Sequence, residues 1–146
     1  PRRREPWLIA RVSESITLEV ERAGDPACPA IVLVMGLGMQ LVAWPDEFVA
    51  ALLARGFQVV RFDNRDAGLS TQIDHFRPTG ITGALLRGAL GFPVTAPYRL
   101  ADMADDTIGL LDALGLDRVH IVGASMGGMI AQLVAARHPA RVRSLV

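Results

Sequence analysis

A serine flanked by two glycines is the residue pattern in this chain with the clearest capacity for chemistry. It reads Gly123-Ala124-Ser125-Met126-Gly127 and lies between a short apolar run and the start of an amphipathic helical pattern. A serine at such a strand-to-helix turn is typical of a nucleophile elbow, which holds the hydroxyl clear of the sheet. The turn places the serine in a sparsely populated backbone conformation that costs about 1–3 kcal/mol. We expect the two glycines to relieve the crowding between strand and helix, because glycine has no side chain to collide there.

Ser125 is the predicted nucleophile of an acyl-transfer reaction, which also needs a base, an orienting acid and donors that stabilise the oxyanion. The backbone N–H of Met126, at the first position of the predicted helix, is expected to be one such donor, and its side chain is expected to line the pocket. The simpler alternative is that Ser125 is an N-cap residue, whose hydroxyl accepts a hydrogen bond from the first helical turn. The two glycines and the apolar strand before them favour the nucleophile.

The second oxyanion donor is expected in the loop Gly36-Leu37-Gly38-Met39. This loop ends a continuous apolar run, Ala30–Met35, which is typical of a strand covered on both faces. Loops at the carboxyl ends of neighbouring parallel strands meet where the strand order reverses. We therefore predict that the backbone N–H of Leu37 is the second donor and that Gly36, Gly38 and Met39 contact the substrate. An ordinary glycine turn is the alternative interpretation.

The hydrophobic pattern predicts a single α/β domain. Two loosely alternating strands come first and are expected to pair antiparallel at the edge of the sheet. From Ala30 onward strands and helices alternate, which calls for a mostly parallel sheet with helices on both faces. Along the helix predicted over Arg99–Leu114 the apolar residues share one face, with Asp102, Asp105 and Asp106 mostly off it. The predicted strands are Leu8–Val12, Ile16–Val20, Ala30–Met35, Phe57–Phe62, Val119–Val122 and one that starts at Val142; the predicted helices are Pro45–Gly56, Gly83–Leu90, Arg99–Leu114 and Met126–Arg137.

Composition places the chain among globular proteins of one domain. It has 146 residues, of which 51% are hydrophobic, so it can bury a core. Fifteen basic and fifteen acidic residues cancel, which argues against the charge footprint of a nucleic-acid-binding protein; the basic cluster Arg2-Arg3-Arg4 is interpreted as a solvated tail. Cys28 is the one cysteine, so neither an intrachain disulfide nor a cysteine-based metal site is predicted. No signal peptide or apolar run of transmembrane length is visible, so we expect a cytoplasmic protein with no membrane partner.

Several motifs together resemble the α/β-hydrolase superfamily. One is the Gly-Ala-Ser-Met-Gly-Gly turn with the segment Leu111–Gly123 that leads into it. Another is Phe62–Ser70, which reads Phe-Asp-Asn-Arg-Asp-Ala-Gly-Leu-Ser. Within the superfamily, Val34–Gly38 followed by Trp44–Phe48 is similar to the branch that contains the aclacinomycin methylesterase. The resemblance covers roughly residues 8–146.

The resemblance implies the α/β-hydrolase fold and a Ser-His-Asp triad. Ser125 would be the nucleophile, and the N–H groups of Leu37 and Met126 would form the oxyanion hole. Met35 stands where many relatives carry a histidine before the glycine, a departure that we expect to alter the packing of the loop without removing the backbone donor. A serine nucleophile disfavours the dehalogenase and epoxide hydrolase branches, in which the nucleophile is an aspartate.

The histidine and the acid of such a triad are not predicted among these residues. In the superfamily both follow the nucleophile in the chain, and only the 21 residues 126–146 follow Ser125. His120 is expected in the strand beneath the elbow, and His138 is expected at the far end of the next helix, roughly 20 Å away. His75 falls in a segment of weak periodicity between residues 71 and 97. None of the three is predicted to be the base.

We therefore predict that residues 1–146 are the N-terminal part of a single α/β-hydrolase domain. The later strands, the cap, the catalytic histidine and the acid would lie on polypeptide beyond residue 146, as a continuation of the chain or as a second chain. Asp63 is expected to brace its own turn with Arg65 and Asp66 rather than to orient a histidine.

The predicted activity is that of a serine hydrolase acting on a carboxylic ester or a lactone through an acyl-enzyme, with no cofactor and no metal. Two other reactions on the same site remain open, those of a cofactor-free haloperoxidase and of a C–C hydrolase, and so does a non-catalytic protein that keeps the pocket to bind a ligand. The weakly periodic segment, residues 71–97, is expected to form a mobile wall near the pocket. Apolar residues around the site predict a small apolar ester-like substrate: Leu37, Met39, Met126, Leu85 and Phe92.

Overall fold

The computed structural model describes residues 7–73, 81–92 and 97–146. In these ranges the strands are β1 (Leu8–Arg11), β2 (Thr17–Ala23), β3 (Ala30–Val34), β4 (Gln58–Phe62), β5 (Val119–Gly123) and β6 (Val142–Leu145). The helices are α1 (Asp46–Ala54), α2 (Ile81–Ala89), α3 (Leu100–Ala113) and α4 (Met126–Arg137), and short 3-10 turns lie at Leu41–Ala43 and Pro139–Arg141. Each predicted strand and helix is present, with ends that differ from the prediction by at most a few residues.

The strands form one sheet in the order β1-β2-β4-β3-β5-β6. The pairs β3–β4, β3–β5 and β5–β6 are parallel, whereas β1–β2 and β2–β4 are antiparallel. The sheet is therefore mixed and mostly parallel, as predicted. From β3 the chain moves to β4 on one side and later to β5 on the other, so the strand order reverses at β3. Ligands of open α/β sheets bind at the carboxyl end of such a reversal.

Helices cover both faces of the sheet, and β3 contributes to both hydrophobic cores. Ala30, Val32 and Val34 pack in the core beneath α3 and α4, whereas Ile31 and Leu33 pack in the core beneath α1. This alternation explains the uninterrupted apolar run, because both faces of the strand are buried. A fully buried valine or leucine contributes about 1.5–3 kcal/mol, so β3 is a firm base for the loop that follows it.

Strand β2 is longer than predicted and lies inside the sheet. It continues through Ala23 and pairs with β4, so of the first two strands only β1 is at the edge. Two of the added residues, Glu21 and Arg22, are polar, and their side chains hydrogen-bond to side chains of β4. Arg61 Nε donates to a Glu21 carboxylate oxygen at 3.0 Å, and Arg22 Nε donates to Gln58 Oε1 at 2.9 Å. Because cross-strand pairing compensates for these polar groups, hydrophobic alternation alone could not reveal the end of the strand.

Asp106 of α3 is buried, contrary to its predicted place mostly off the apolar face. It is only 6% exposed and accepts two hydrogen bonds from Arg65, from Nε at 2.6 Å and from Nη2 at 2.8 Å. The guanidinium carbon lies 4.9 Å from the centroid of the Tyr98 ring. Burial raises the pKa of Asp106, and the neighbouring Arg65 offsets part of that rise. Helical periodicity could not show a partner that comes from a distant loop.

We expect Arg65→Lys to lower the free energy of unfolding by about 1–3 kcal/mol. Lysine can neither form two parallel bonds to Asp106 nor stack on Tyr98, so a buried carboxylate would lose part of its compensation. Arg137→Lys is the control at an exposed site, where Arg137 Nη1 contacts the exposed Asp105 at 3.1 Å and the Ala101 carbonyl at 3.3 Å, and its loss should be below about 0.5 kcal/mol. Urea unfolding of both variants measures the difference. Equal losses would contradict the assignment of a stabilising role to the Arg65 pair.

Candidate active site

Ser125 lies between β5 and α4 in a backbone conformation that residues other than glycine rarely adopt. Its φ is 54° and its ψ is −122°. Such a conformation costs about 1–3 kcal/mol and persists only where the surrounding structure imposes it. The side chain is exposed and makes no capping hydrogen bond to α4. The hydroxyl therefore does not perform the N-cap role, and it is accessible to a reacting molecule.

Gly123 and Gly127 allow β5 and α4 to approach closely. A Cβ atom at Gly123 would overlap the backbone of Gly127 and Gly128, and a Cβ atom at Gly127 would overlap the carbonyl oxygens of Val34 and Met35. All of these are backbone atoms of packed elements, which cannot move aside without displacing the strand or the helix. The two glycines therefore seat the elbow against the central strand β3.

The loop after β3 lies directly against the elbow. The Ala124 N–H donates to the Val34 carbonyl at 3.0 Å, which joins the two segments. A Cβ atom built on Gly36 would lie 3.2 Å from the Cβ of Ser125 and 3.6 Å from its Oγ. The structure thus brings Gly36 and Ser125 together, and a side chain at position 36 would narrow the space beside the hydroxyl.

Leu37 follows Gly36 in the chain and Met126 follows Ser125, so each carries a backbone N–H next to one residue of this contact. In the part of the chain that the structure describes, neither N–H donates to another backbone group. The Met126 N–H belongs to the first turn of α4, where the helix dipole favours negative charge. Met39 N–H donates to the Gly36 carbonyl at 3.3 Å, and Gly38, at φ 68°, completes this turn in a conformation that favours glycine. Backbone N–H groups without a partner are the donors that stabilise an oxyanion, so these two are candidates for that role.

The histidines that the structure describes lie away from Ser125. His120 is in β5, with Nδ1 2.7 Å from Ser144 Oγ and its ring edge-on to Phe57. His138 ends α4, a helix of 12 residues that spans about 18 Å at 1.5 Å per residue. His75 lies outside the described residues. As expected, neither of the described histidines is placed to take a proton from the hydroxyl.

Asp63 and Asn64, which follow β4, hold the loop after β3 at its two ends. The Asn64 side-chain amide donates to the Met35 carbonyl at 3.0 Å, and the Asp63 carboxylate accepts the Leu41 N–H at 2.5 Å. Both side chains are buried, with Asp63 2% and Asn64 5% exposed. Buried hydrogen bonds of this kind are costly to break, because the partner left behind loses its only compensation for burial. The two residues therefore fix where the loop lies.

Asp63 does contact its own turn, through Ser70 and Gly68, but not with the predicted partners Arg65 and Asp66. Arg65 pairs with Asp106 instead, and Asp66 accepts the Ile73 N–H at 2.6 Å. The role of Asn64 was missed altogether. The available signal was a pair of polar residues directly after a buried strand, at the carboxyl edge of a parallel sheet, where functional groups concentrate.

Glu19 lies beside this pair of residues. It is 7% exposed, and its carboxylate accepts the Leu69 N–H at 3.2 Å. Burial raises the pKa of Glu19; the bond from Leu69 lowers it, and the neighbouring Asp63 carboxyl raises it further. Together these effects raise the pKa of Glu19 above its ordinary value of 4.5.

We expect Glu19→Gln to become more stable relative to the parent protein as the pH rises above about 4.5. Because the pKa of Glu19 is higher in the folded than in the unfolded state, the folded protein binds the proton more tightly, and the stability of the parent falls as the pH rises through that window. Glutamine has no proton to lose, and its carbonyl can still accept the Leu69 N–H. Urea unfolding of both proteins across the acid and neutral range measures the effect. A stability difference that does not change with pH would contradict it.

The described residues also include a cavity that lies away from Ser125. A cavity of about 510 Å³ runs beside α1, lined by residues that include Gly24, Cys28, Leu53 and Phe57, and Ser125 is not among them. Within residues 7–73, 81–92 and 97–146, no three His, Cys, Asp or Glu side chains are grouped as a metal site would require. Over the same ranges, no helix combines the length and the apolar character needed to cross a membrane.

Comparison with known proteins agrees with this architecture. The family described as alpha/beta hydrolase fold matches residues 29–146. Rhodomycin D methylesterase DauP of Streptomyces sp. (strain C5) is 34% identical over 132 residues, which cover 90% of this chain and 38% of the relative. The crystal structure of a hydrolase from Pseudomonas aeruginosa PA01 aligns with a TM-score of 0.74 at 29% identity, covering 95% of this chain and 44% of that one. The enol-lactonase from Burkholderia xenovorans LB400 aligns with a TM-score of 0.71 at 28% identity, covering 96% of this chain and 45% of that one.

The chain therefore spans well under half the length of these proteins. The family match extends from just before β3 to residue 146, so it contains the elbow, the loop after β3 and both residues that hold that loop. With the strand order and the strained serine, this match shows that the chain belongs to the α/β-hydrolase family.

Proposed function

We propose that this chain supplies the nucleophile and the oxyanion hole of a serine hydrolase that cleaves carboxylic esters or lactones. The observation that carries the proposal is the strained Ser125, whose exposed hydroxyl lies against Gly36 with no capping role. A protein retains a backbone strain of about 1–3 kcal/mol where that conformation serves a function. The relationship to a methylesterase and to an enol-lactonase supports the same class of reaction.

In the proposed mechanism Ser125 Oγ attacks the substrate carbonyl and its proton passes to a histidine. The N–H groups of Leu37 and Met126 stabilise the tetrahedral oxyanion, which collapses to an acyl-enzyme as the protonated histidine gives its proton to the leaving alcohol oxygen. Water, deprotonated by the same histidine, then attacks the acyl carbon and releases the carboxylic acid and Ser125. Preorganised oxyanion donors contribute roughly 10²–10³-fold each to such reactions.

We propose that the histidine and the acid are on polypeptide beyond residue 146, which completes the same domain. The chain covers only 38% of its methylesterase relative. In the described sheet β6 is at the edge and pairs on one side only, with β5, which leaves its other side open to a further strand.

An apolar substrate fits the residues that surround the elbow. Leu37 and Met39 are 57% and 49% exposed on the loop after β3, and Met129 on α4 is 53% exposed. Exposed apolar side chains on the two segments that flank Ser125 favour an apolar ligand there. Phe92 is exposed as well, and the side chain of Leu85 lies outside the described residues.

A serine-reactive fluorophosphonate tests the nucleophile in the whole polypeptide. Trypsin releases residues 119–137 as one peptide, in which Ser125 is the sole hydroxyl-bearing residue. Mass spectrometry of this peptide therefore assigns the label without ambiguity. We expect stoichiometric phosphonylation of the peptide in the parent protein and none in Ser125→Ala.

The outcomes separate the alternatives. A folded parent protein that takes no label would contradict the proposal and favour a non-catalytic ligand-binding protein. Labelling without turnover of esters or lactones would contradict the substrate class and favour a cofactor-free haloperoxidase or a C–C hydrolase on the same elbow.

A further inference from the structure

Asn64 is a rigid donor aimed at the start of the loop after β3. Its side chain is 5% exposed, and Nδ2 lies 3.0 Å from the Met35 carbonyl oxygen. Its own backbone carbonyl accepts the Ala67 N–H at 3.0 Å, which holds the residue in the turn after β4. The side-chain amide of Asn64 thus joins the segment that follows β4 to the segment that follows β3.

The Met35 carbonyl controls the orientation of the next backbone donor. The carbonyl of Met35 and the N–H of Gly36 belong to one planar peptide unit. The following unit carries the Leu37 N–H, and Gly36 between them lies so close to the elbow that a Cβ atom built on it would be 3.2 Å from the Ala124 carbonyl oxygen and 3.2 Å from the Ser125 Cβ. Because this packing leaves Gly36 little room to rotate independently, a change in the plane at Met35 turns the Leu37 N–H relative to Ser125. Among the described side-chain hydrogen bonds, the one from Asn64 to Met35 is the closest in sequence to the Leu37 N–H.

The far end of the loop is held independently. The Leu41 N–H donates to Asp63, and Leu41 is fully buried. Asp63 is itself fixed, because Ser70 Oγ donates to its carbonyl at 2.6 Å and Gly68 packs against its carboxylate. With that end anchored, loss of the Asn64 amide would free the loop at the end next to the nucleophile.

We propose that Asn64 is a positioning residue for the oxyanion hole: it orients the Leu37 N–H by holding the Met35 carbonyl. This inference rests on the proposed function, in which Leu37 supplies an oxyanion donor. Asn64 acts through the backbone and is not placed against the substrate. Its loss should therefore weaken binding of the transition state and leave binding of the ground state largely unchanged.

The test is Asn64→Ala in the whole polypeptide, with two rates measured. Displacing a catalytic group by about 1 Å can cost roughly 10²-fold, so we expect kcat for a nitrophenyl ester to fall about 10- to 100-fold. KM should change by less than about threefold, because the ground state uses the oxyanion donor weakly. The rate of fluorophosphonate labelling at Ser125 should fall in parallel, since the phosphonyl oxygen occupies the oxyanion position.

Gln58→Ala is the control for general destabilisation, since it removes buried side-chain hydrogen bonds at the opposite end of β4. Gln58 is 2% exposed, and its Nε2 donates to the carbonyls of Cys28 at 2.6 Å and Pro26 at 3.0 Å. Its loss should lower the unfolding midpoint without slowing the labelling of the folded protein. Asn64→Ser, which leaves a polar group in the site, replaces Asn64→Ala if the latter does not fold.

Each result has one meaning. Labelling and kcat at parental values in a folded Asn64 variant would overturn the inference and leave the proposed function intact. Equal slowing in the Asn64 and Gln58 variants would also overturn it, because the effect would then reflect general destabilisation. Absence of labelling in the parent protein would instead overturn the proposed function.

Discussion

Replacing Ser125 with alanine is expected to lower kcat for a nitrophenyl ester by about 10⁴- to 10⁶-fold in the whole polypeptide. Alanine keeps the Cβ atom, so the strained backbone and the two N–H donors stay in place while the attacking oxygen is lost. The nucleophile and its base act together, so removing the nucleophile eliminates nearly all of the rate enhancement that the pair provides. The residual rate would come from substrate binding and the oxyanion donors. The measurement is steady-state hydrolysis of the parent and the variant at the same protein concentration.

Ser144→Ala is the control for this prediction. Ser144 also carries a hydroxyl near a histidine, but its partner His120 is within β5 and not at the elbow. We expect its kcat to stay within about twofold of the parent, as for most surface substitutions. A Ser125→Ala variant that retains more than a tenth of the parental kcat would refute the assignment, as would a comparable loss in Ser144→Ala.

Local sequence patterns predicted the elements and the elbow because their causes are local. The apolar run of β3 reflects burial on both faces, and the two glycines around Ser125 reflect a steric requirement between consecutive elements. Such constraints act over a few residues and are visible in the chain itself. The mostly parallel arrangement of the sheet also followed, since alternating strands and helices restrict the possible topologies.

The supporting contacts could not be predicted, because each joins residues far apart in the chain. Asn64 reaches Met35 across 29 positions, and Arg65 reaches Asp106 across 41. A polar residue in a sequence carries no sign of which distant backbone group or carboxylate it will meet. Asp106 was therefore expected mostly off the buried face, and Asp63 was assigned to its own turn. The place of Ser125 at a strand-to-helix turn could be predicted from the sequence, whereas the contacts that hold the loop beside it required the tertiary structure.

Gly127→Ala is expected to destabilise the protein by about 3 kcal/mol and to impair any activity that depends on the elbow. The new methyl group would overlap the carbonyl oxygens of Val34 and Met35, which are backbone atoms at the end of the central strand. Relief requires α4 to move away from β3. That movement would displace Ser125 from the loop that begins at Gly36, and a displacement of about 1 Å can cost roughly 10²-fold in rate. Urea unfolding and labelling of Ser125 measure the two effects.

Gly128→Ala places the same methyl group one residue further along the same helix. There the nearest atom is the Gly123 carbonyl oxygen at 3.4 Å, an ordinary van der Waals contact. Since alanine is favoured over glycine within a helix by about 0.5–1 kcal/mol, this variant should be as stable as the parent or more so, with Ser125 labelled at the parental rate. The two variants gain the same helix propensity, and they differ in whether the new methyl group overlaps the backbone at the end of β3. If both variants lost stability equally, close packing of α4 on β3 could not be the reason for glycine at position 127.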